Sequence, residues 1–109
     1  MDCNRKLKIH IGIIKRLMGD VKYYEEEVKV NKEHIEFMKV NGECPYDIRK
    51  QEEVLSESYM MVPESKNRLE AALQTFKGIV SMAEDELYVD NELLETANNL
   101  LEINNYLDV

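Results

Sequence analysis

Apolar residues recur along this chain at alternating three- and four-residue spacing, which keeps one stripe of an α-helix turned towards a partner. The pattern is longest in the stretch that begins at Tyr46. Seam positions 48, 52, 55, 59, 62, 66, 69, 73, 76, 80 and 83 hold Ile, Glu, Leu, Tyr, Val, Lys, Leu, Leu, Phe, Val and Ala. Nine of these eleven can be buried. The other two, Glu52 and Lys66, can lay long stems along a seam while their charges reach water. Pro63 sits in the middle; it lacks a backbone donor and clashes with the carbonyl of Tyr59. The pattern therefore predicts a helix over about 46–81, kinked at Pro63.

A second stretch, about 4–40, repeats the spacing through Leu7, Ile11, Ile14, Leu17, Met18, Val21, Tyr24, Val28, Ile35 and Met38. Gly12 and Gly19 each cost such a helix about 1 kcal/mol relative to Ala, so packing must hold it or each glycine admits a close helix approach. Asn41, Gly42 and Pro45 end it: the first two accept the left-handed conformation, and the last cannot continue a helix. The short loop makes the two helices an antiparallel hairpin, with Asp47 an anion in the first turn of the second. The third start is ambiguous, since Ser81-Met82-Ala83-Glu84 has capping-box spacing and Asp90-Asn91 offers another N-terminus. From Leu93 the apolar positions Leu94, Ala97, Leu100, Leu101, Ile103 and Leu107 favour a helix over about 89–108. No strand alternation occurs. The expected architecture for 1–109 is a single all-α domain, an elongated antiparallel three-helix bundle of spectrin-like, up-down-up topology.

Composition sharpens this picture without changing it. Four Gly, two Pro and 7% aromatic residues among 109 suit long helices. No apolar run approaches the roughly 18–20 residues of a membrane span, and no signal-peptide pattern opens the chain. Cys3 and Cys44 are then expected as reduced thiols in a soluble intracellular protein. The net charge is −8, and it is carried by residues 78–109, which hold eight carboxylates and no Lys or Arg. An acidic third argues against nucleic acid as a partner. The basic start (Arg5, Lys6, Lys8, Lys15, Arg16, Lys22) reads as the wet face of a helix, with a membrane surface a distant alternative.

Catalytic patterns are absent. His10 and His34 are 24 residues apart on one helix, roughly 36 Å if straight, so they cannot share a metal. There is no phosphate-binding loop, dinucleotide fingerprint or nucleophile elbow. Neither an enzyme nor a cofactor is expected. What stands out lies off the assumed seam of the second helix. Met60 and Met61 fall outward beside Pro63, while Val54, Met61 and Arg68 line up at seven-residue intervals near Lys50, Glu57 and Asn67. Adaptable methionines and an arginine suit a surface that docks on another protein, although these residues could equally flank the third helix.

Three runs in the second helix carry a resemblance: Tyr46-Asp47-Ile48-Arg49-Lys50-Gln51, then Leu55 to Glu64 around Met60-Met61-Val62-Pro63, then Arg68-Leu69-Glu70-Ala71-Ala72. With Gly12-Ile13-Ile14-Lys15-Arg16-Leu17 and Tyr24-Glu25, they resemble the tubulin-binding cofactor A family over about 70 residues; from Gly78 onward the match fades. The resemblance implies a non-enzymatic, three-helix chaperone of the cytoplasm and cytoskeleton. Such a protein captures quasi-native β-tubulin along its helices and keeps it available for other tubulin-folding cofactors and heterodimer assembly. Lys50, Gln51, Glu57, Ser58, Met60, Met61 and Arg68 are motif positions that face outward in the assumed register, and they are the expected β-tubulin contacts. Ile48, Leu55, Val62 and Leu69 are expected in the core. Whether the protein is a monomer or homodimer is open, and a structural coiled-coil adaptor acting through self-association or a larger assembly is the competing reading.

Overall fold

The computed structural model describes residues 2–107, with side chains through 105. It is all-α, with α1 at Cys3–Val40, α2 at Pro45–Glu84 and α3 at Asn91–Leu107. The expected end of the third helix at 108 and the side chain of Leu107 lie outside the described residues. Cys3 and Cys44 are free thiols. Among the described residues no helix is long and apolar enough to cross a membrane.

Local chemistry sets each boundary. Asp2 opens α1, its carbonyl accepting from the Lys6 amide at 3.0 Å and its side chain from the Asn4 amide at 3.3 Å. At the other end Gly42 adopts φ +64°. Its amide donates to the Lys39 carbonyl and that of Glu43 to Met38, the paired bonds of a Schellman motif. The Cys44 carbonyl accepts from the Ile48 amide, which leaves Pro45 at the first helical position, where a missing donor costs nothing. Helix α2 continues through Pro63 without interruption. Ser81–Glu84 starts no helix but forms the last turn of α2, and Ala83 there is fully buried. The second candidate start is the one used. Asp90 caps α3: its Oδ1 accepts from the amides of Glu92 (2.9 Å) and Leu93 (3.4 Å), and its carbonyl accepts from Leu94.

The chain divides into two compact units. One contains residues up to 18 and from 68 onward, so it is built from the start of α1, the end of α2 and all of α3. Among the described residues its buried apolar side chains are Leu7, Ile11 and Ile14 from α1, Leu69, Leu73, Phe76, Val80 and Ala83 from α2, and Ala97 and Leu100 from α3. Phe76 and Leu7 are completely buried. Asn4 ties the α2–α3 connection to the start of α1, donating to the Tyr88 carbonyl (3.3 Å) and accepting from the Asp90 amide (2.7 Å). Towards the other end of α3, buried Asn104 donates to the Leu100 carbonyl (2.8 Å) and approaches the Met18 sulfur (3.5 Å). Residue 90 beside residue 4 and residue 104 beside residue 18 make α3 parallel to α1, the up-down-up order.

The other unit, Gly19–Asn67, is a two-helix hairpin. The pairings of Asn31 with Gln51 and of Glu27 with Ser58 fix its antiparallel sense. Only Ile35 and Met38 are buried apolar residues here, with Tyr24, Val28, Ile48, Leu55 and Val62 half-buried.

A Cβ placed on Gly12 or Gly78 meets nothing within 4 Å, so these glycines serve no close approach within the chain. Gly12→Ala and Gly78→Ala should each therefore stabilise the protein by about 0.5–1 kcal/mol, read as a raised urea midpoint at unchanged m-value.

Candidate functional site

In the two-helix unit the facing positions follow one heptad register. On α1 they are Tyr24, Val28, Asn31, Ile35 and Met38; on α2 they are Ile48, Gln51, Leu55, Ser58, Val62 and Ser65. Gln51, Ser58 and Ser65 recur every seven residues, where a coiled coil would normally place leucine. Their polar atoms are satisfied locally. The Asn31 amide donates to Ser58 Oγ at 3.1 Å and accepts at its own oxygen from Gln51 Nε2 at 3.1 Å. The Ser58 hydroxyl lies 3.2 Å from the Val54 carbonyl and 3.5 Å from Glu27 Oε2, and its one proton can serve either. Ser65 donates to the Val62 carbonyl at 2.9 Å. Among the described residues no buried side-chain nitrogen or oxygen lacks a partner.

This register corrects the outward set read from the sequence. Ser58 is 5% exposed and spent on Asn31, and Gln51 is half-buried and bonded to the same residue, so neither faces out. Met61 is half-buried. Lys50, Glu57, Met60 and Arg68 are exposed, and Met60 is 68% so. Lys50 pairs with Glu53 at 3.7 Å, and its ammonium lies 5.5 Å from the Tyr46 ring centroid.

The assumed seam through 52, 59 and 66 fails for the same reason: the true seam is one residue earlier, and Glu52, Tyr59 and Lys66 are exposed. Positions 73 and 80 of that series are nevertheless buried. They belong to the unit that contains α3, where each helix must bury a broader face. Tyr59 is 46% exposed, its ring 4.9 Å from the Lys32 ammonium. With Glu25, Val28, Val62 and Pro63 it lines a depression open to solvent.

Sequence reading also passed over a line of large apolar side chains on α1. Tyr23, Val30 and Phe37 are 58%, 52% and 62% exposed. Their seven-residue spacing is the available signal, masked by the longer buried stripe beside it. The Tyr23 hydroxyl donates to Glu27 at 3.2 Å, and its ring meets that of Tyr24 edge-on at 5.3 Å. The bond to Glu27, together with that carboxylate's charge, holds the Tyr23 phenol above its ordinary pKa. Among the described residues no group of three or more His, Cys, Asp or Glu side chains could hold a metal ion.

A heptad hairpin with solvated apolar flanks, joined to a three-helix core, has counterparts among known proteins. The family model described as Tubulin binding cofactor A matches residues 2–101. The chain belongs to that family. Tubulin-specific chaperone A of Homo sapiens is 42% identical over 81 residues, covering 74% of this chain and 75% of the human protein. The protein of the same name from Bos taurus is 40% identical over 94 residues, 83% of this chain and 87% of that one. The crystal structure of tubulin folding cofactor A from Arabidopsis thaliana superposes with a TM-score of 0.79 at 35% identity, covering 92% of both chains. The tubulin-binding cofactor A match runs past Gly78, where the quoted motifs fade, to residue 101 in α3.

The polar rung of this family member can be tested directly. Ser58→Ala leaves the Asn31 amide without its 3.1 Å partner, and should cost about 1 kcal/mol. A double-mutant cycle with Asn31→Ala should return a coupling of about 0.5–1.5 kcal/mol in urea unfolding; strict additivity would mean the bond contributes nothing.

Proposed function

We propose that the protein is a tubulin-folding chaperone of the cytoplasm, one that binds quasi-native β-tubulin without catalysing a reaction and holds it for later heterodimer assembly. One observation carries this reading: identity of 40–42% to proteins named Tubulin-specific chaperone A, over 74–83% of this chain. The geometry supports binding rather than turnover. The two-helix unit offers exposed apolar and charged side chains on stiff helices, and the depression at Tyr59 and Pro63 is open rather than enclosing.

Within that reading the α2 contacts reduce to residues that face solvent. Lys50, Glu57 and Met60 present themselves to a client, with Met61 in partial reach; Ser58 and Gln51 act indirectly, by holding α2 in register on α1. A flexible thioether one turn from Glu57 suits a partner surface whose shape has not fully settled. Arg68, exposed where the other unit begins, is a separate candidate.

The immobilised chain should retain purified β-tubulin and not α-tubulin. Retention of neither, or of both equally, overturns the assignment. Lys50→Glu combined with Met60→Ser should weaken β-tubulin capture roughly fivefold or more, and Arg68→Glu measured alone should also weaken it. Unchanged capture removes the substituted residue from the interface.

A further inference from the structure

No helix of its own unit covers the stripe on α1. Tyr23, Val30 and Phe37 repeat every seven residues and span roughly 21 Å of helix, and each is more than half exposed. Val54 and Met61 stand one turn before and after Ser58 on α2. Ser58 reaches Glu27, which is itself one turn from both Tyr23 and Val30, so the two apolar sets share one side of the hairpin. Helix α3 belongs to the other unit. Apolar side chains aligned in this way mark an interaction surface.

The rim of the stripe says what kind of surface covers it. Residues three and four positions from Tyr23, Val30 and Phe37 include Asp20, Glu26, Glu27 and Glu33, together with His34, and no Lys or Arg. A second copy fits this rim poorly. Parallel pairing sets every carboxylate against its own copy, and antiparallel pairing about Val30 sets Glu27 against Glu33 twice. The Tyr23 hydroxyl, bonded to Glu27, keeps the ring on the stripe without adding charge.

We infer that the Tyr23–Val30–Phe37 stripe is a second client-docking surface that takes an apolar ridge of β-tubulin edged by Lys or Arg side chains. This rests on the proposed function and adds to it a contact on α1 that the α2 residues do not supply. Apolar burial along the stripe provides affinity, while the carboxylate rim selects orientation and makes association sensitive to salt.

The test uses the full chain with purified β-tubulin at low and high salt. Tyr23→Ser/Val30→Ser/Phe37→Ser should keep the helical circular dichroism of the parent and lose capture at least roughly tenfold. Glu26→Lys/Glu33→Lys should weaken capture and reduce its salt dependence. Full capture by a folded triple variant overturns this inference and leaves the proposed function standing. If the triple variant loses helix, the charge-reversed pair decides: capture equal to the parent at both salt concentrations overturns the inference. A parent chain that captures no β-tubulin overturns both. Binding lost by the triple variant while Lys50→Glu/Met60→Ser retains part of it supports two separate contacts.

Discussion

An α-helix rises about 1.5 Å per residue, so the 17 residues of α3 provide roughly 25 Å of cover, while the 38 and 40 residues of α1 and α2 run more than twice as far. Covering by a third helix is therefore confined to one part of the chain, and most other features follow from that limit. Where three helices meet, Leu7, Phe76 and Ala83 leave solvent entirely and α2 buries 73 and 80 as well as its heptad positions. Where only two meet, each helix can bury a single narrow stripe. The flanks then stay wet, whatever their hydrophobicity.

That distinction also explains how much of the molecule was legible in its sequence. Three helices, their antiparallel order, the Asn41–Pro45 turn and the core roles of Leu69, Phe76 and Ala83 follow from spacing and capping chemistry alone. The register of the first half of α2 does not. Hydrophobicity favours Tyr59 over Ser58 and the long stem of Lys66 over Ser65, yet the smaller polar residues are inside. They are inside because Asn31 and nearby carbonyls satisfy them, which is visible only once α1 is in place. The outward placement expected of Gln51 and Ser58 failed through the same one-residue shift. On α1 the missed position was Asn31 itself, an asparagine in line with Val28 and Ile35.

A seam with polar rungs gives up apolar burial and gains definition. Leucine at 51, 58 and 65 would let α1 and α2 slide by a heptad at little cost, whereas the Gln51–Asn31–Ser58 rung is satisfied in one alignment. A slipped hairpin would strand an amide and a hydroxyl away from water. On the proposed function, in which the flanks dock on another chain, fixed alignment matters more than depth of core, because a shift of one helix would scatter the side chains displayed on it.

The bonds of Asn4 have a consequence for how the chain acquires its structure. They join residues 84 and 86 positions apart, and Asn104 meets Met18 across another 86, whereas the hairpin's rung spans only 20 and 27. On a ribosome, the middle of the polypeptide can find its partner early, but Leu7, Ile11 and Ile14 are made first and must wait for Phe76 and Leu100 before they can be covered. The nascent protein thus leaves the apolar face at the start of α1 uncovered until the partner stretches of α2 and α3 have been made. A chain that reads as a chaperone spends its first seconds in the condition of a client.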